Sequence, residues 1–202
     1  MKIVGLCGGS GSGKGVVADL LSEYGFAHID TDKIYHELTD KSSPCLNELA
    51  LAFGDRIVNK NGGLDRRVLA EIVFNSPDNE RSRKILNEIA HRYVLCEVRR
   101  LLPMLKEQGY VAALVDAPLL FESGFDRECD NIVAVLAPRR IRIQRICARD
   151  GIDSLAAQRR IDSQLSDEYL LSHSDFCITN DSDLDELRSS CKSLVEKIIN
   201  NV

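Results

Sequence analysis

Tryptophan is absent from this 202-residue chain, and aromatic residues make up only 5% of it. A protein that holds nucleic-acid bases on stacked rings would need more. An excess of positive charge is missing too. The formal net charge is −5, and neutralising a phosphate backbone requires a basic face. No nucleic-acid partner is therefore expected. No apolar run approaches the ~18 residues that span a bilayer, so no membrane partner is expected either. The opening residues from Met1 to Cys7 lack a long apolar leader and a small-residue cleavage site. The expected location is the cytoplasm. Seven cysteines, at 7, 45, 96, 129, 147, 177 and 191, include no C-x-x-C pair. That excludes an obvious metal knuckle or disulfide framework and suits reduced thiols. Repeats, low-complexity tracts and a Pro/Gly/Ser linker are also missing.

What remains is ordinary globular material, 44% hydrophobic and 28% charged. The length suits one large domain or one domain with insertions, and it can bury roughly 70% of the surface that the unfolded chain exposes. Ile3-Val4-Gly5-Leu6-Cys7 reads as a short buried strand followed by a glycine-rich loop. Val16, Val17, Leu20, Leu21 and Tyr24 then recur at helical spacing, and Phe26-Ala27-His28-Ile29-Asp30 reads as a second strand. Strand, loop, helix and strand open a parallel sheet. The stretch from about 33 to 108 is mostly helical in pattern, with turns near Ser43-Pro44, Asn61-Gly62-Gly63 and Ser76-Pro77. It is too long for one crossover and reads as a helical insertion. Pro103 is expected to kink or end the helix that holds residues 93–102. Further strands are expected at 110–115, ending at Asp116, at 131–136 and at 176–179. Residues 139–172 are Arg-rich and helical. A closing helix carries Leu184, Leu187, Cys191, Leu194 and Ile198 on one face.

Gly8-Gly9-Ser10-Gly11-Ser12-Gly13-Lys14 fits G-x-x-x-x-G-K in the right setting, after a strand and before an amphipathic helix. Its glycines admit backbone angles that side chains block, so successive amides can turn inward as an anion nest at a helix N-terminus. Lys14 adds a mobile charge for the outer phosphates. One position departs from the pattern. Gly15 stands where a Ser or Thr hydroxyl usually ligates Mg²⁺, and Val16 follows. A retained water could fill that place, since Mg²⁺ keeps several. Weaker metal binding and slower turnover than with a serine are the expectation.

Asp30-Thr31-Asp32 follows the second strand, at the carboxyl edge where ligands of such sheets bind. Asp32 there could accept or orient a hydroxyl proton in phosphoryl transfer, or merely cap the helix from Lys33. Asp116 ends an apolar strand in the manner of a Walker B carboxylate, and it could equally be a turn or cap residue.

These blocks, taken with Leu64-Asp65-Arg66, Ile72-Val73-Phe74, Asp116-Ala117-Pro118-Leu119-Leu120-Phe121-Glu122, Arg145 to Arg149-Asp150-Gly151, Gln164 and Asn180, resemble the dephospho-CoA kinase family in order and over nearly the whole chain. The resemblance implies an ATP-dependent kinase for the ribose 3′-hydroxyl of dephospho-CoA, with Mg²⁺ as cofactor. It implies an α/β three-layer P-loop fold: a parallel sheet of about five strands with helices on both faces. One domain, 1–202, would hold a core (1–32, 109–138, 174–202), an acceptor-binding helical insertion (33–108) and a short Arg-rich lid (139–173). It implies that Asp32, Lys14 and Arg145 are catalytic, Arg145 reaching the transferring phosphate. ATP would lie on Gly9, Ser10, Gly11, Ser12, Gly13, Lys14, Gly15, Val16, Arg149 and Asn180. Dephospho-CoA would meet Asp32, Leu64, Arg66, Phe74, His91, Pro118, Leu119 and Glu122, and Asp116 would hold the metal through water. Arg92 stands where the family has proline after the histidine.

Arg139, Arg140, Arg142, Arg145 and Arg149 are dense for an acidic chain. Arg142, Arg145 and Arg149 share a helix face by their i, i+3, i+7 spacing. They suit a lid that closes on phosphates, or a solvated face with weak ion pairs. Arg139 and Arg140 read as surface residues, His28 and His36 as structural, His173 as a turn residue. Cys7 is the thiol whose alkylation would obstruct the loop. Two other functions stay open: a P-loop kinase for a nucleoside, nucleotide or shikimate, and a nucleotide-binding regulator that has lost metal-assisted turnover. The sequence fixes no oligomeric state, and a monomer is the default.

Overall fold

The computed structural model describes residues 1–75 and 77–200. Of the expected Ser76-Pro77 turn, Ser76 lies outside the described residues, while Pro77 and Asp78 form a turn. β1 (Lys2–Cys7) pairs in parallel with β3 (Ala112–Asp116) on one side and β4 (Asn131–Leu136) on the other. β2 (Phe26–Asp30) and β5 (Phe176–Thr179) complete a five-stranded parallel sheet in the order β2-β3-β1-β4-β5. The inner strands read as unbroken apolar runs because helices cover both faces. On one face, α1 (Lys14–Ser22) and α9 (Leu184–Asn200) bury Val17, Leu20, Leu21, Leu187, Cys191 and Leu194 against Val4, Leu6, Leu114 and Val133. Gly5 alternates to the opposite face, where Leu120 comes so close that a Cβ on Gly5 would lie 2.9 Å from it.

The register sets Leu6 opposite Asp116 and Cys7 opposite Ala134. Loop 8–13, Asp116 and the turns after it therefore leave the sheet at one edge. Between β4 and β5 run α6 (Arg139–Asp150), α7 (Ser154–Asp162) and α8 (Asp167–Ser172), with Ile146, Ala157 and Ile161 as their own small core.

The chain divides into two compact units, one made of Met1–Ile29 with the chain from Met104 onward, the other of Asp30–Pro103. Residues 139–173, expected as a lid, group with the sheet. The second unit contains α2 (Thr31–Thr39), α3 (Pro44–Phe53), α4 (Arg66–Phe74) and most of α5 (Asn79–Glu107) around Leu46, Leu49, Ile57, Leu69, Val73 and Ile89. Side-chain caps start its helices: Asp30 accepts from Lys33 N at 3.0 Å, Ser43 from Leu46 N at 3.0 Å and Asp65 from Val68 N at 3.1 Å.

Four local expectations need correction. Of the kink or end expected at Pro103, the end does not occur: α5 runs through it to Glu107, because a proline removes one helical bond while the following turn keeps its own, as in Gln108 N to Met104 O at 3.0 Å. β3 begins at Ala112, not at 110: Gly109 closes the helix at φ 84 and Tyr110 N still bonds Leu105 O, a helix-end pattern that leaves Tyr110 and Val111 exposed. Tyr24 falls beyond α1, though it packs on the same core. Leu184 only opens α9 and is exposed, with Asp183 capping the amides of Asp185 and Glu186. No helix among the described residues is long and apolar enough to cross a membrane.

Candidate functional site

The glycine-rich loop turns directly off the central strand into α1. Gly13 is the residue before the helix and sits at φ 93, a left-handed angle that other side chains resist. α1 carries no acid in its first turn, so its free amides and its dipole face outward unopposed. Lys14 Nζ donates to Gly8 O at 2.8 Å, which folds the lysine across the loop. Together these features make a concave, positive cradle of main-chain amides at the sheet's carboxyl edge.

The carbonyls of the loop are held from behind. Arg142 Nε donates to Ser10 O at 3.0 Å. Arg145 Nη1 spans Gly11 O, Ser12 O and Asn180 O at 3.3–3.4 Å, and its Nη2 reaches Asn180 Oδ1 at 3.2 Å. Asn180 Nδ2 donates to Ser12 O at 2.9 Å. A peptide's C=O and N–H point in opposite directions, so carbonyls drawn outward turn the amides of Gly11 and Gly13 inward. Arg145 and Asn180 therefore act here as a brace. Arg149 is not brought to the loop: its guanidinium forks onto its neighbour Asp150 at 2.7 and 2.9 Å, and its side chain is 61% exposed. Arg139 pairs with Asp162 at 2.7 Å.

Sequence reasoning missed the deepest of these residues. Arg142 is only 3% exposed, and besides Ser10 O it binds Asp167 Oδ1 at 3.0 Å and Gln164 Oε1 at 3.4 Å. Helical spacing placed it on a face with Arg145 and Arg149 but could not show which of the three turns inward. The close approach to Gly9 was the available signal: a side chain there would collide with the Arg142 guanidinium.

Beside the loop lies a cavity of about 120 Å³, with Gly8, Gly9, Pro118, Leu119, Glu122 and Gln164 in its wall. Three residues expected to meet the acceptor thus flank the phosphate loop. Cys7 also lines this cavity. Burial pushes its thiol up, against the lowering effect of a Ser174 hydroxyl 3.6 Å away, so little of it is reactive thiolate at neutral pH. His28, expected to have only a structural role, places Nε2 3.8 Å from Asp116 Oδ2.

In the helical unit, Asp30 supplies the cap of α2, which leaves Asp32 in the first helical turn rather than at the capping position. Leu64 is buried and Arg66 donates to Thr39 Oγ1 at 3.1 Å and Asp40 Oδ1 at 2.9 Å. Phe74 is 59% exposed. His91 Nε2 is buried with no hydrogen-bond partner among the described residues, and burial lowers its pKa. α5 continues unbroken through Arg92, which pairs with Glu48 of α3. Tyr93 Oη donates to the same carboxylate at 2.9 Å.

For a divalent cation the donor set is sparse. No group of three or more His, Cys, Asp or Glu suited to a metal occurs among the described residues. Asp116 stands at the loop's edge of the sheet, and the space where a Gly15 side chain would begin is open. One carboxylate with room for water fits an ion such as Mg²⁺, which keeps much of its hydration and takes its remaining ligands from phosphate oxygens.

The dephospho-CoA kinase family model matches residues 2–186. The dephospho-CoA kinase of Corynebacterium glutamicum is 37% identical over 198 residues, covering 98% of this chain and all of that one. That of Fusobacterium nucleatum is 38% identical over 199 residues, covering 98% and 99%. Among solved structures, the dephospho-CoA kinase from Campylobacter jejuni superposes with a TM-score of 0.70 at 27% identity, over 97% of this chain and 96% of that one. A shikimate kinase from Acinetobacter baumannii, 15% identical with a TM-score of 0.55, shares the fold alone. With the match running from the central strand into the closing helix, this chain belongs to the dephospho-CoA kinase family.

Proposed function

We propose that this protein transfers the γ-phosphoryl group of ATP to the ribose 3′-hydroxyl of dephospho-CoA, giving coenzyme A and ADP, in the cytoplasm. The observation that carries the reading is the braced amide cradle of residues 8–15 within a chain that matches one kinase family over residues 2–186. The ATP phosphates lie in the cradle with Lys14 on the outer oxygens, where positioning and fixed charge supply most of the rate. Asp32 orients the acceptor hydroxyl and takes its proton, consistent with its not being needed as the cap of α2. Pro118, Leu119 and Glu122 beside the phosphate loop bind the acceptor, and the family resemblance adds Leu64, Arg66, Phe74 and His91 as acceptor-binding residues. Asp116 would hold Mg²⁺ through water, and the ion would supply charge neutralisation on the phosphates. Arg145, already at the loop through the Gly11 and Ser12 carbonyls, serves the transferring phosphate, and Arg149 contributes to ATP binding.

One assay tests this. The protein is incubated with Mg-ATP and dephospho-CoA, adenosine or shikimate, and product mass is followed. Phosphorylation of dephospho-CoA alone is the expected result, and transfer to another acceptor overturns the substrate. ATP binding without transfer to any acceptor points instead to a nucleotide-binding regulator. Asp32→Asn should bind ATP normally and lose about 10²–10⁴-fold in rate, and a normal rate removes Asp32 as the base.

A further inference from the structure

Ser10 is gripped at both of its main-chain groups. Its N–H donates to Gln164 Oε1 at 2.9 Å, and its C=O accepts from Arg142 Nε at 3.0 Å. Arg142 Nη2 is 3.4 Å from the same Gln164 oxygen, so the two gripping side chains are joined to each other. Arg142 Nη1 is fixed in turn by Asp167 Oδ1 at 3.0 Å, in the first turn of α8. The result is a closed chain from α8 through the floor of the phosphate loop to the turn that follows α7.

We propose that Arg142 is a positioning residue for nucleotide binding, acting through Ser10, with Gln164 as its partner and Asp167 as its orienting carboxylate. The reading rests on the loop being the ATP-phosphate site. Three observations support it. The guanidinium is buried, which costs free energy unless its bonds are strong and directed, and two of its three partners lie in or bind the loop. Drawing Ser10 O toward Arg142 turns the Gly11 amide to the opposite side, the phosphate side. The only charge that approaches the guanidinium among its hydrogen-bond partners is Asp167, and Asp167 is 41% exposed, so much of the positive potential stays with the loop. A lysine could not do the same, because one ammonium cannot donate along both the Ser10 and Asp167 directions that a planar fork spans.

The test compares wild type with Arg142→Met, Arg142→Lys, Gln164→Leu and Gln164→Glu. ATP affinity is read by calorimetry, the KM of each substrate by steady-state kinetics, and folding by the thermal midpoint without ligand. Arg142→Met should weaken ATP binding and raise the KM for ATP by about tenfold or more, as loss of a charge-assisted bond implies, with the acceptor KM unchanged within about twofold. Arg142→Lys should recover only part of this. Gln164→Leu should weaken ATP several-fold, whereas Gln164→Glu, which keeps the accepting oxygen, should restore it. The double variant Arg142→Met with Gln164→Leu should be little worse than Arg142→Met alone, because both act on one peptide. Unchanged ATP affinity in folded Arg142→Met overturns the proposal, as does an equal rise in both KM values, which would mean a general loosening. If Arg142→Met does not fold, unchanged ATP affinity in Gln164→Leu overturns it instead. A wild-type protein that binds no ATP would sink the functional reading itself, a result distinct from any of these.

Discussion

Gly15 and His91 show how much a single side chain, or its lack, decides here. At Gly15 the missing hydroxyl leaves open space at the helix start, so a serine enters without collision. Gly15→Ser should therefore tighten binding of the divalent ion to the nucleotide complex several-fold, read by relaxation of water protons with Mn²⁺ as probe. It should also raise turnover, and about 0.5 kcal/mol or less of helix stability comes with it. No change in ion affinity would mean that the ion needs no protein hydroxyl. At His91, burial holds the imidazole below its ordinary value of about 6.5. The folded chain then resists a proton that the unfolded chain accepts, so stability is intact above that value and declines as pH falls through it. Denaturant midpoints at pH 7.5 and 5.5 should converge in His91→Leu relative to wild type, and an equal drop in both would remove His91 from the account.

At the scale of elements, the wall beside the phosphate loop is set by one packing contact. Leu120 is fully buried against β1, and only a glycine at position 5 gives its methyl groups room. Gly5→Ala should destabilise by about 1–3 kcal/mol through overpacking, and Leu120→Ala by about 2–5 kcal/mol through a cavity. The double variant should cost clearly less than the two together, because the added methyl partly fills the space, and urea unfolding measures all three. Strict additivity would show that the two residues do not share that space. Elements of this kind were largely legible in the sequence. The strand, loop and helix around Lys14 announced themselves by apolar runs and glycine spacing. What stayed hidden was set by geometry that periodicity does not carry. The sequence offered Asp32 as the cap of the helix that follows, and the cap fell instead to Asp30, because β2 runs to that residue. Among three arginines on one helical face, the packing of α7 against α6 and the Asp167 carboxylate at the start of α8 decide that Arg142 is buried, Arg145 braces and Arg149 stays outside. The resemblance to known kinases assigned Arg145 to the transferring phosphate and Arg149 to ATP but gave the buried Arg142 no role.

For the whole molecule, ligand and stability are tied by mass action. ATP at about a hundred times its Kd should raise the unfolding free energy by roughly 2.7 kcal/mol, which for a chain of this size moves the thermal midpoint by about 5–11 °C. A midpoint that does not respond to ATP while calorimetry records binding would mean that unfolding is not governed by the cradle's unit. The sheet order carries a different consequence. The earliest of these five strands in chain order is the central one, and its two neighbours begin only at residues 112 and 131. At about 5–20 residues per second, β1 waits on the order of 5–20 seconds for its first partner. A greasy ribbon thus stays without its sheet neighbours while about a hundred further residues are made, and the newborn chain is a natural client for holding chaperones until β3 arrives.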